Sequence, residues 1–325
     1  MATYYGTYGQ KVQYLSSDPP APQTGQVWYN STSAVLKVRS VTTSGTWAAG
    51  GNLNSGRSIS QGAGTQTAGI LCGGNRSGPS ALTEKYDGTA WTAVNSMNTA
   101  RYDGGTAGTQ TATLAFGGAN PINNATESYN GTTWTTLPAT MSTSRYGFGY
   151  VANGTQTAAL AFGGTDSGTS ALSNGESYNG TTWTATPNLA TAIMYGEGMG
   201  TQTAAIFTAG GPTNTSQSSA TTQSWNGSSW TNLPSGHNLT QAGPSRSGFG
   251  IATSALIVGI PAPSVELYNG TSWTSVTAMP GTRDSSTGIG ASGSLGLMTG
   301  AYATTATTFE WEGPGVATTR TVTVS

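Results

Sequence analysis

Arginine and glutamate recur at fixed places along this chain of 325 residues. The arginines each open a glycine-rich segment, at Arg57, Arg101, Arg145, Arg246 and Arg283. The glutamates each open a later β-prone segment of the same repeat, at Glu84, Glu127, Glu176, Glu266 and Glu310. A guanidinium fork binds carboxylate and phosphate groups. The series therefore predicts either a ring of sites for acidic glycan groups or a set of structural ion pairs.

One repeat distinguishes between these two interpretations. It carries Met194 where the others have arginine and Gln223 where the others have glutamate, so both charges are missing together. A joint loss favours pairing within a repeat. We therefore expect Arg57 to contact Glu84, and each later arginine to contact the glutamate of its own repeat.

Residues for acid–base, metal or redox chemistry are scarce. Glu197 breaks the repeat, and we expect it to face a central channel, but it has no evident second carboxylate for glycoside hydrolysis. Glu312 is another unmatched acid. The single histidine, His237, and the single cysteine, Cys72, cannot form the usual ligand sets of metal sites. The sequence predicts no catalytic residue, no cofactor and no metal, and hence a protein that is not an enzyme.

A six-residue pattern shows which elements position these residues. It consists of an aromatic residue, Asn or Asp, Gly, two small residues and Trp, and it starts at Tyr86, Tyr129, Tyr178, Trp225 and Tyr268. Asn-Gly and Asp-Gly favour the two-residue type I′ turn of a β-hairpin. The closing tryptophans recur at the spacing of one propeller blade, at Trp91, Trp134, Trp183, Trp230 and Trp273.

Each repeat also contains a Gly-Thr-Gln turn and an apolar run that ends in a glycine pair, which gives four short strands, a to d. Six such cycles can be followed, and Trp47 precedes the first as a strand d without its own a, b and c. We expect this strand to complete the last blade and close the ring. The prediction is an all-β, six-bladed propeller, or seven blades if residues 26–47 and the C-terminal tail form one of their own.

The glycine pairs followed by spaced Tyr and Trp, over about residues 47–313, resemble the kelch repeat. Upstream, the segment Gly25-Gln26-Val27-Trp28-Tyr29-Asn30 with Gly45-Thr46-Trp47 resembles a β segment of tailed-phage fibre and virion proteins. The repeated kelch-like units are also similar to those of marine-phage structural proteins. These resemblances imply a propeller that belongs to a virus particle.

Composition limits the remaining classes. Charged residues make up 7% of the chain and the formal net charge is −1, so no basic surface is predicted for nucleic acid. No apolar run has the length of a membrane span, and no signal peptide is evident at the N-terminus. Residues 1–24 end in a Pro-rich linker, which predicts an arm outside a propeller domain of residues 25–325.

The loops differ between the two ends of the predicted propeller. The a–b and c–d turns are uniform, whereas the b–c and d–a connections vary in length, and in a four-stranded blade these share one face. Variable polar loops on a rigid scaffold favour binding. Candidate contacts to sugar hydroxyls on this face are Asn75, Arg76, Asn120, Asn123, Asp166, Asn214 and His237.

Together these features predict a non-enzymatic structural protein on the exterior of a phage virion, as a tail-fibre, spike or decoration component. Its variable loops would contact host surface glycans, residues 1–24 would hold it to other virion proteins, and an oligomer of identical chains is compatible with this role. One alternative is a scaffold propeller that serves only assembly. The other is a secreted carbohydrate-active or oxidase-type enzyme on the same fold.

Overall fold

The computed structural model describes residues 12–23, 25–41, 44–216, 219–243, 247–259, 263–281, 284–302, 305–315 and 317–322. In these ranges the protein is built from β-strands, with one 3₁₀ turn at Ser235–His237. None of the described helical structure has the length and apolar character needed to cross a bilayer. The prediction of an all-β propeller is confirmed. The chain divides into two compact units, Trp47–Trp311 and a second unit of Met1–Thr46 with Glu312–Ser325.

Among the described residues, six sheets of the larger unit share one pattern of four antiparallel strands, which we name a to d and number as blades 1 to 6. Blade 1 contains β5 (Gln61–Thr65), β6 (Ala68–Cys72), β7 (Thr83–Tyr86) and β8 (Trp91–Val94). Blade 2 contains β9 (Gly105–Thr109), β10 (Ala112–Phe116), β11 (Thr126–Tyr129) and β12 (Trp134–Leu137). Blade 3 contains β13 (Gly149–Tyr150), β14 (Ala159–Phe162), β15 (Gly175–Tyr178) and β16 (Trp183–Thr186).

The second half of the ring repeats this arrangement. Blade 4 contains β17 (Glu197–Thr201), β18 (Ala204–Thr208), β19 (Thr222–Trp225) and β20 (Trp230–Asn232). Blade 5 contains β21 (Ser247–Ile251), β22 (Ser254–Val258), β23 (Val265–Tyr268) and β24 (Trp273–Val276). Blade 6 contains β25 (Thr287–Ser292), β26 (Leu295–Thr299), β27 (Thr308–Glu312) and, from far upstream in the chain, β4 (Thr46–Ala49).

The a strands stand side by side around a central channel, and β25 of blade 6 contacts β5 of blade 1, which closes a ring of six blades. Glycine makes this approach feasible. A Cβ on Gly288 would lie 2.1 Å from the Gly248 carbonyl oxygen of the neighbouring blade, closer than real Cβ contacts come. The high glycine content of the strands is thus a packing requirement of the narrow ring.

Two polar contacts recur between neighbouring blades. The glutamine of the a–b turn reaches back to the preceding blade, so that Gln110 Nε2 donates to the carbonyl oxygens of Gly69 and Tyr86. The tryptophan of strand d donates to the threonine that opens strand c of the preceding blade, as Trp134 Nε1 does to Thr83 Oγ1 at 3.1 Å. These bonds satisfy polar groups that would otherwise be buried between blades without partners.

Two blades lack the threonine that opens strand c, and the tryptophan of the following blade then has a different partner or none among the described residues. In blade 3 strand c opens with Gly175, which has no hydroxyl, and the Nε1 of Trp230 in blade 4 is buried without a partner. In blade 5 it opens with Val265, and Trp47 Nε1 instead donates to the Thr277 carbonyl oxygen at 3.1 Å.

Ring closure uses the same contacts. Trp91 of blade 1 donates to Thr308 Oγ1 of blade 6 at 2.9 Å, and Gln66 donates to the Trp311 carbonyl oxygen at 2.9 Å. The segment around Trp47 supplies strand d of blade 6, and the Trp47 ring packs on Trp311 with centroids 4.9 Å apart.

A seventh four-stranded sheet belongs to the smaller unit. Its order is β1 (Gln13–Leu15), β2 (Val27–Asn30), β3 (Val35–Val41) and β28 (Ala317–Val322). Two strands from residues 26–47 therefore do form a sheet with the tail, as in the seven-blade alternative, but Trp47 of the same segment lies in blade 6. In the seventh sheet β1 pairs parallel to β2, so its pattern differs from that of the other six sheets.

The predicted domain boundaries need a correction. Residues 1–24 were expected to be an arm outside a domain of 25–325, but β1 lies inside that arm and hydrogen-bonds along β2. Residues 25–46 and 312–325 belong to the same unit as β1, not to the unit of the six blades. The reason is long-range pairing, because β28 from the C-terminus joins β3 from the N-terminus, a register that composition does not reveal.

Candidate functional site

A belt of backbone hydrogen bonds surrounds one end of the channel, just before the a strands begin. The Ile59 N–H donates to the Ser285 carbonyl at 2.8 Å, and Asp103 N–H to Ile59 at 3.0 Å. Gly147 N–H donates to Asp103 at 3.2 Å, and Tyr195 N–H to Gly147 at 2.7 Å. All five residues have φ between 51° and 58°, so the same left-handed turn recurs in five blades. We call this series the mouth belt.

The mouth belt surrounds a cavity of about 290 Å³ to which all six blades contribute. It lies at the end of the channel that carries the d–a and b–c connections, and Asn214 from the b–c connection of blade 4 also lines it. At the opposite end, the Asn153 side chain crosses from blade 3 to donate to the carbonyl oxygens of Gly250 and Gly290. The cavity is therefore bounded by protein at the a–b end and faces the variable loops.

Two acids and two tyrosines from three blades line this cavity. Asp103 comes from the mouth belt of blade 2, and Tyr195 from that of blade 4. Glu197 is the first residue of β17, and Tyr150 the last residue of β13. Serine residues complete the polar lining, at Ser60, Ser247, Ser285 and Ser286. Because the mouth belt and the a strands hold these side chains, the site is built on rigid elements.

Enclosure in the cavity wall changes the acid strength of its residues. Burial raises the pKa of Asp103 from 3.8 to about 7. Burial also raises the pKa of Glu197 well above 4.5, although a hydrogen bond from the Gly248 backbone opposes this effect. The pKa of Tyr150 is raised by burial first and by Glu197 second. Asp103 and Glu197 are both half-buried, and both line the cavity. The enclosed cavity holds little water to stabilise the ionised carboxylates, and this raises the two pKa values.

The arginine and glutamate series lies away from this cavity, inside the blades. Arg57 bonds Glu84, Arg101 Nη2 lies 2.6 Å from Glu127 Oε1, and Arg145 Nη2 lies 3.0 Å from Glu176 Oε1. All six side chains are at most 2% exposed. Arginine donors also hold loop carbonyls, such as those of Gly117 and Ala125 for Arg101. These three arginines thus hold the b–c loops in place, and none of them lines the cavity.

The other members of the series are placed differently. Arg246 and Arg283 lie outside the described residues, so their predicted pairing with Glu266 and Glu310 stays a prediction. Glu266 accepts the Thr240 N–H at 2.7 Å, and Glu310 accepts the Tyr86 hydroxyl across the blade 6–blade 1 boundary.

The expected arginine position of blade 4 was wrong by one residue. Gly164 N–H donates to the Ile193 carbonyl as Gly118 N–H does to that of Arg145, so Ile193 and not Met194 replaces the arginine. The hydrogen-bond register of the backbone identifies the equivalent residue, and residue spacing alone did not reveal it. Gln223 does take the glutamate position, and its side chain bonds both the N–H and the carbonyl of Thr191.

The predicted loop contacts fall into three groups. Asn214 is exposed and lines the cavity. Arg76, Asn120 and Asp166 are exposed in b–c connections but do not belong to the cavity lining. The last group is held by the fold, because the amide oxygens of Asn75 and Asn123 accept loop N–H groups of Gly78 and Ala125, and His237 Nδ1 lies 3.2 Å from the Tyr268 hydroxyl.

Sequence reasoning found Glu197 but missed its neighbours. Asp103 stands two residues after Arg101, where the next repeat has Gly147. An acid that breaks the repeat was the criterion that singled out Glu197, and the same criterion applied to every repeat would have found Asp103. Tyr150 and Tyr195 carry no such signal, since aromatic residues are frequent beside the a strands.

Comparison with known proteins supports the fold. The structure is similar to that of YjhT, with a TM-score of 0.63 and 12% sequence identity, and the alignment covers 84% of this chain and 96% of that chain. At this identity the likeness shows the fold alone, a kelch-like β-propeller. No protein-family model and no curated protein matches the sequence.

The residues that line the cavity indicate which kinds of ligand it can bind. It offers carboxyl groups, phenol and serine hydroxyls and the Asn214 amide, beside the faces of tyrosine rings. Within the described ranges, no group of three or more His, Cys, Asp and Glu residues comes together as a metal site. Convergent hydroxyl, amide and carboxyl groups beside aromatic rings suit the hydroxyl-rich faces of a sugar ring.

Proposed function

We propose that this protein is a glycan-binding propeller of a phage particle, and that it contacts host surface glycans with the face that carries the b–c and d–a connections. The observation that carries the proposal is the cavity of about 290 Å³ at the centre of this face. Its volume is at the lower end for small-molecule sites, which suits a single sugar ring of a longer chain.

The placement of the protein on a virion is supported by the resemblance of residues 25–47 to phage fibre segments. In this proposal the protein lies on the exterior of the particle. The N-terminal residues contribute to its attachment to other virion proteins, and the loop face points outward. Many copies on one particle would convert weak binding by each cavity into strong adhesion.

The test has a binding arm and a particle arm. The purified protein should bind surface polysaccharide of a susceptible host, and the doubly substituted Tyr195→Ala, Asn214→Ala chain should bind at least tenfold more weakly while melting at a similar temperature. On the particle, replacing the loops at residues 75–80 and 165–170 should alter adsorption without reducing assembly. Binding that survives the double substitution, or loops that affect assembly alone, would favour a scaffold role.

A second function, glycan hydrolysis, is favoured by one specific observation. The expectation of a non-enzymatic protein relied on Glu197 having no partner, and the structure brings Asp103 into the same cavity. An acid that stays protonated can donate a proton to a glycosidic oxygen while a second carboxylate activates water. Incubating the protein with host polysaccharide and measuring new reducing ends tests this, with Glu197→Gln as the variant that should abolish them.

A further inference from the structure

The cavity contains a carboxyl group to which no described residue donates a hydrogen bond. Among the described residues no donor bonds the side chain of Asp103, and burial is the factor that acts on its pKa. Glu197 accepts the Gly248 backbone N–H and no described side-chain donor. Buried polar groups are nearly always bonded, so a group left open toward a cavity indicates that a ligand or water supplies the donors.

Among the residues that the structure describes, the charged side chains that line the cavity are both acidic. Tyr195 lies close enough to Asp103 to feel its charge, and Tyr150 is affected in the same way by Glu197. The phenols of Tyr102 and Tyr146 also lie close to Tyr195. In the described part of the lining there is no Lys, Arg or His residue.

We infer that the cavity takes a saccharide that carries a primary amino group, with its ammonium held by the carboxylate of Asp103. This inference rests on the proposed function, because it specifies the sugar class for the same cavity. An ammonium supplies three donors to groups that lack them. The tyrosine rings beside the acids can also attract a cation through their π faces.

The alternative ligands fit this lining less well. A neutral sugar can bond the two acids only through hydroxyl groups and leaves their charge uncompensated whenever they ionise. An acidic sugar would add a third carboxylate beside them, which disfavours binding in a site of low polarity. The cavity should therefore rank amino sugars first, neutral sugars second and uronic acids last.

Ammonium binding must also be coupled to proton release. The cation favours the ionised form of the carboxyl group that it contacts, so its binding lowers the pKa of Asp103 and expels protons near neutral pH. Because burial raises the pKa of Asp103 to about 7, much of this carboxyl group is protonated below pH 7. Affinity for the amine should thus rise by roughly tenfold between about pH 5.5 and 7, while affinity for glucose should change little.

Isothermal titration calorimetry of the full-length chain tests the inference. The probes are glucosamine, glucose, N-acetylglucosamine and glucuronic acid, each at pH 5.5 and 7, in two buffers that differ in ionisation enthalpy to count released protons. The variants are Asp103→Asn and Glu197→Gln. The control is Asp87→Asn, which changes an exposed acid of a c–d turn into the residue that four other repeats carry there.

The expected result is that glucosamine binds at least tenfold more tightly than glucose at pH 7 and releases protons. Asp103→Asn should lose this preference, Glu197→Gln should weaken it because the cavity loses a negative charge, and Asp87→Asn should keep it. Equal binding of glucose and glucosamine, or tighter binding of glucuronic acid, would overturn the amino-sugar inference but leave a sugar-binding cavity. If the host polysaccharide also fails to bind, the proposed function itself is wrong. A thermal melt of each variant shows whether it is folded, and Glu197→Gln provides the second test if Asp103→Asn is not.

Discussion

The natural difference between blades 3 and 4 provides a controlled test of the buried ion pairs. Blade 3 has Arg145 bonded to Glu176, and blade 4 has Ile193 and Gln223 in the same places. The perturbation is to convert blade 3 to the blade 4 pair, first by Arg145→Ile alone and then with Glu176→Gln added. The test shows whether the ion pair makes a net contribution to the stability of the blade, or whether each charge only compensates the burial of the other.

The magnitudes follow from the contacts of each side chain. Arg145→Ile leaves Glu176, which is 2% exposed, as a buried charge without its cation, and removing one partner of a buried pair costs about 3–5 kcal/mol. Adding Glu176→Gln removes the charge, and the amide can still accept the Ser142 N–H that now bonds the carboxylate at 2.6 Å. The carbonyl oxygens of Gly163 and Asn174, which Arg145 bonds at 3.0 and 2.7 Å, lose this donor in the single and the double variant alike, at about 1–3 kcal/mol each.

The double variant should therefore be more stable than Arg145→Ile alone, by about 2 kcal/mol. Equilibrium unfolding in urea, followed by tryptophan fluorescence, measures the free energies of unfolding for the wild type, both single variants and the double variant. The reverse exchange in blade 4, Ile193→Arg with and without Gln223→Glu, serves as the matched control and should show the same rescue. A double variant as unstable as Arg145→Ile, or less stable, would refute the reasoning.

Three further predictions test the site, the blade contacts and the ring closure. Burial raises the folded-state pKa of Asp103 from 3.8 to about 7, so ionisation of this residue destabilises the fold progressively between these pH values and fully above about pH 7. The Asp103→Asn variant should therefore be more stable than the wild type at pH 8 but not at pH 4, as measured by paired thermal melts. Thr83→Val should cost about 1–3 kcal/mol in urea unfolding because Trp134 Nε1 loses its acceptor, and an equal loss from Thr92→Val, on an exposed strand position, would show that the bond is not responsible. Trp47→Ala should cost about 2–3 kcal/mol, less than a fully buried tryptophan because Trp47 is half-buried, and an unchanged urea midpoint would mean that strand d of blade 6 does not stabilise the ring.

Local chemistry accounts for the parts of the fold that the sequence revealed. Asn130-Gly131 and its counterparts form hairpin turns in which the Asn side-chain oxygen accepts turn N–H groups, so residue type alone predicts the turn. The regular recurrence of the closing tryptophans predicted blades, and the leftover Trp47 pointed to a strand d shared with the last blade. The same reasoning offered the pairing of the tail with residues 26–47 only as an alternative, because a strand pairs with whichever edge the tertiary structure leaves open.

The candidate site could be predicted from the sequence only in small part. Glu197 was recognisable from the sequence as an acid that interrupts a repeat, but Asp103 lies 94 positions earlier in the chain, and nothing local relates the two. Their meeting depends on the ring, which turns the mouth of every blade toward one axis. Residue types and spacing thus determined the turns, the strands and the repeat of this protein. Only the tertiary structure decided which side chains share a cavity, because ring closure brings together residues from six blades that are distant in the chain.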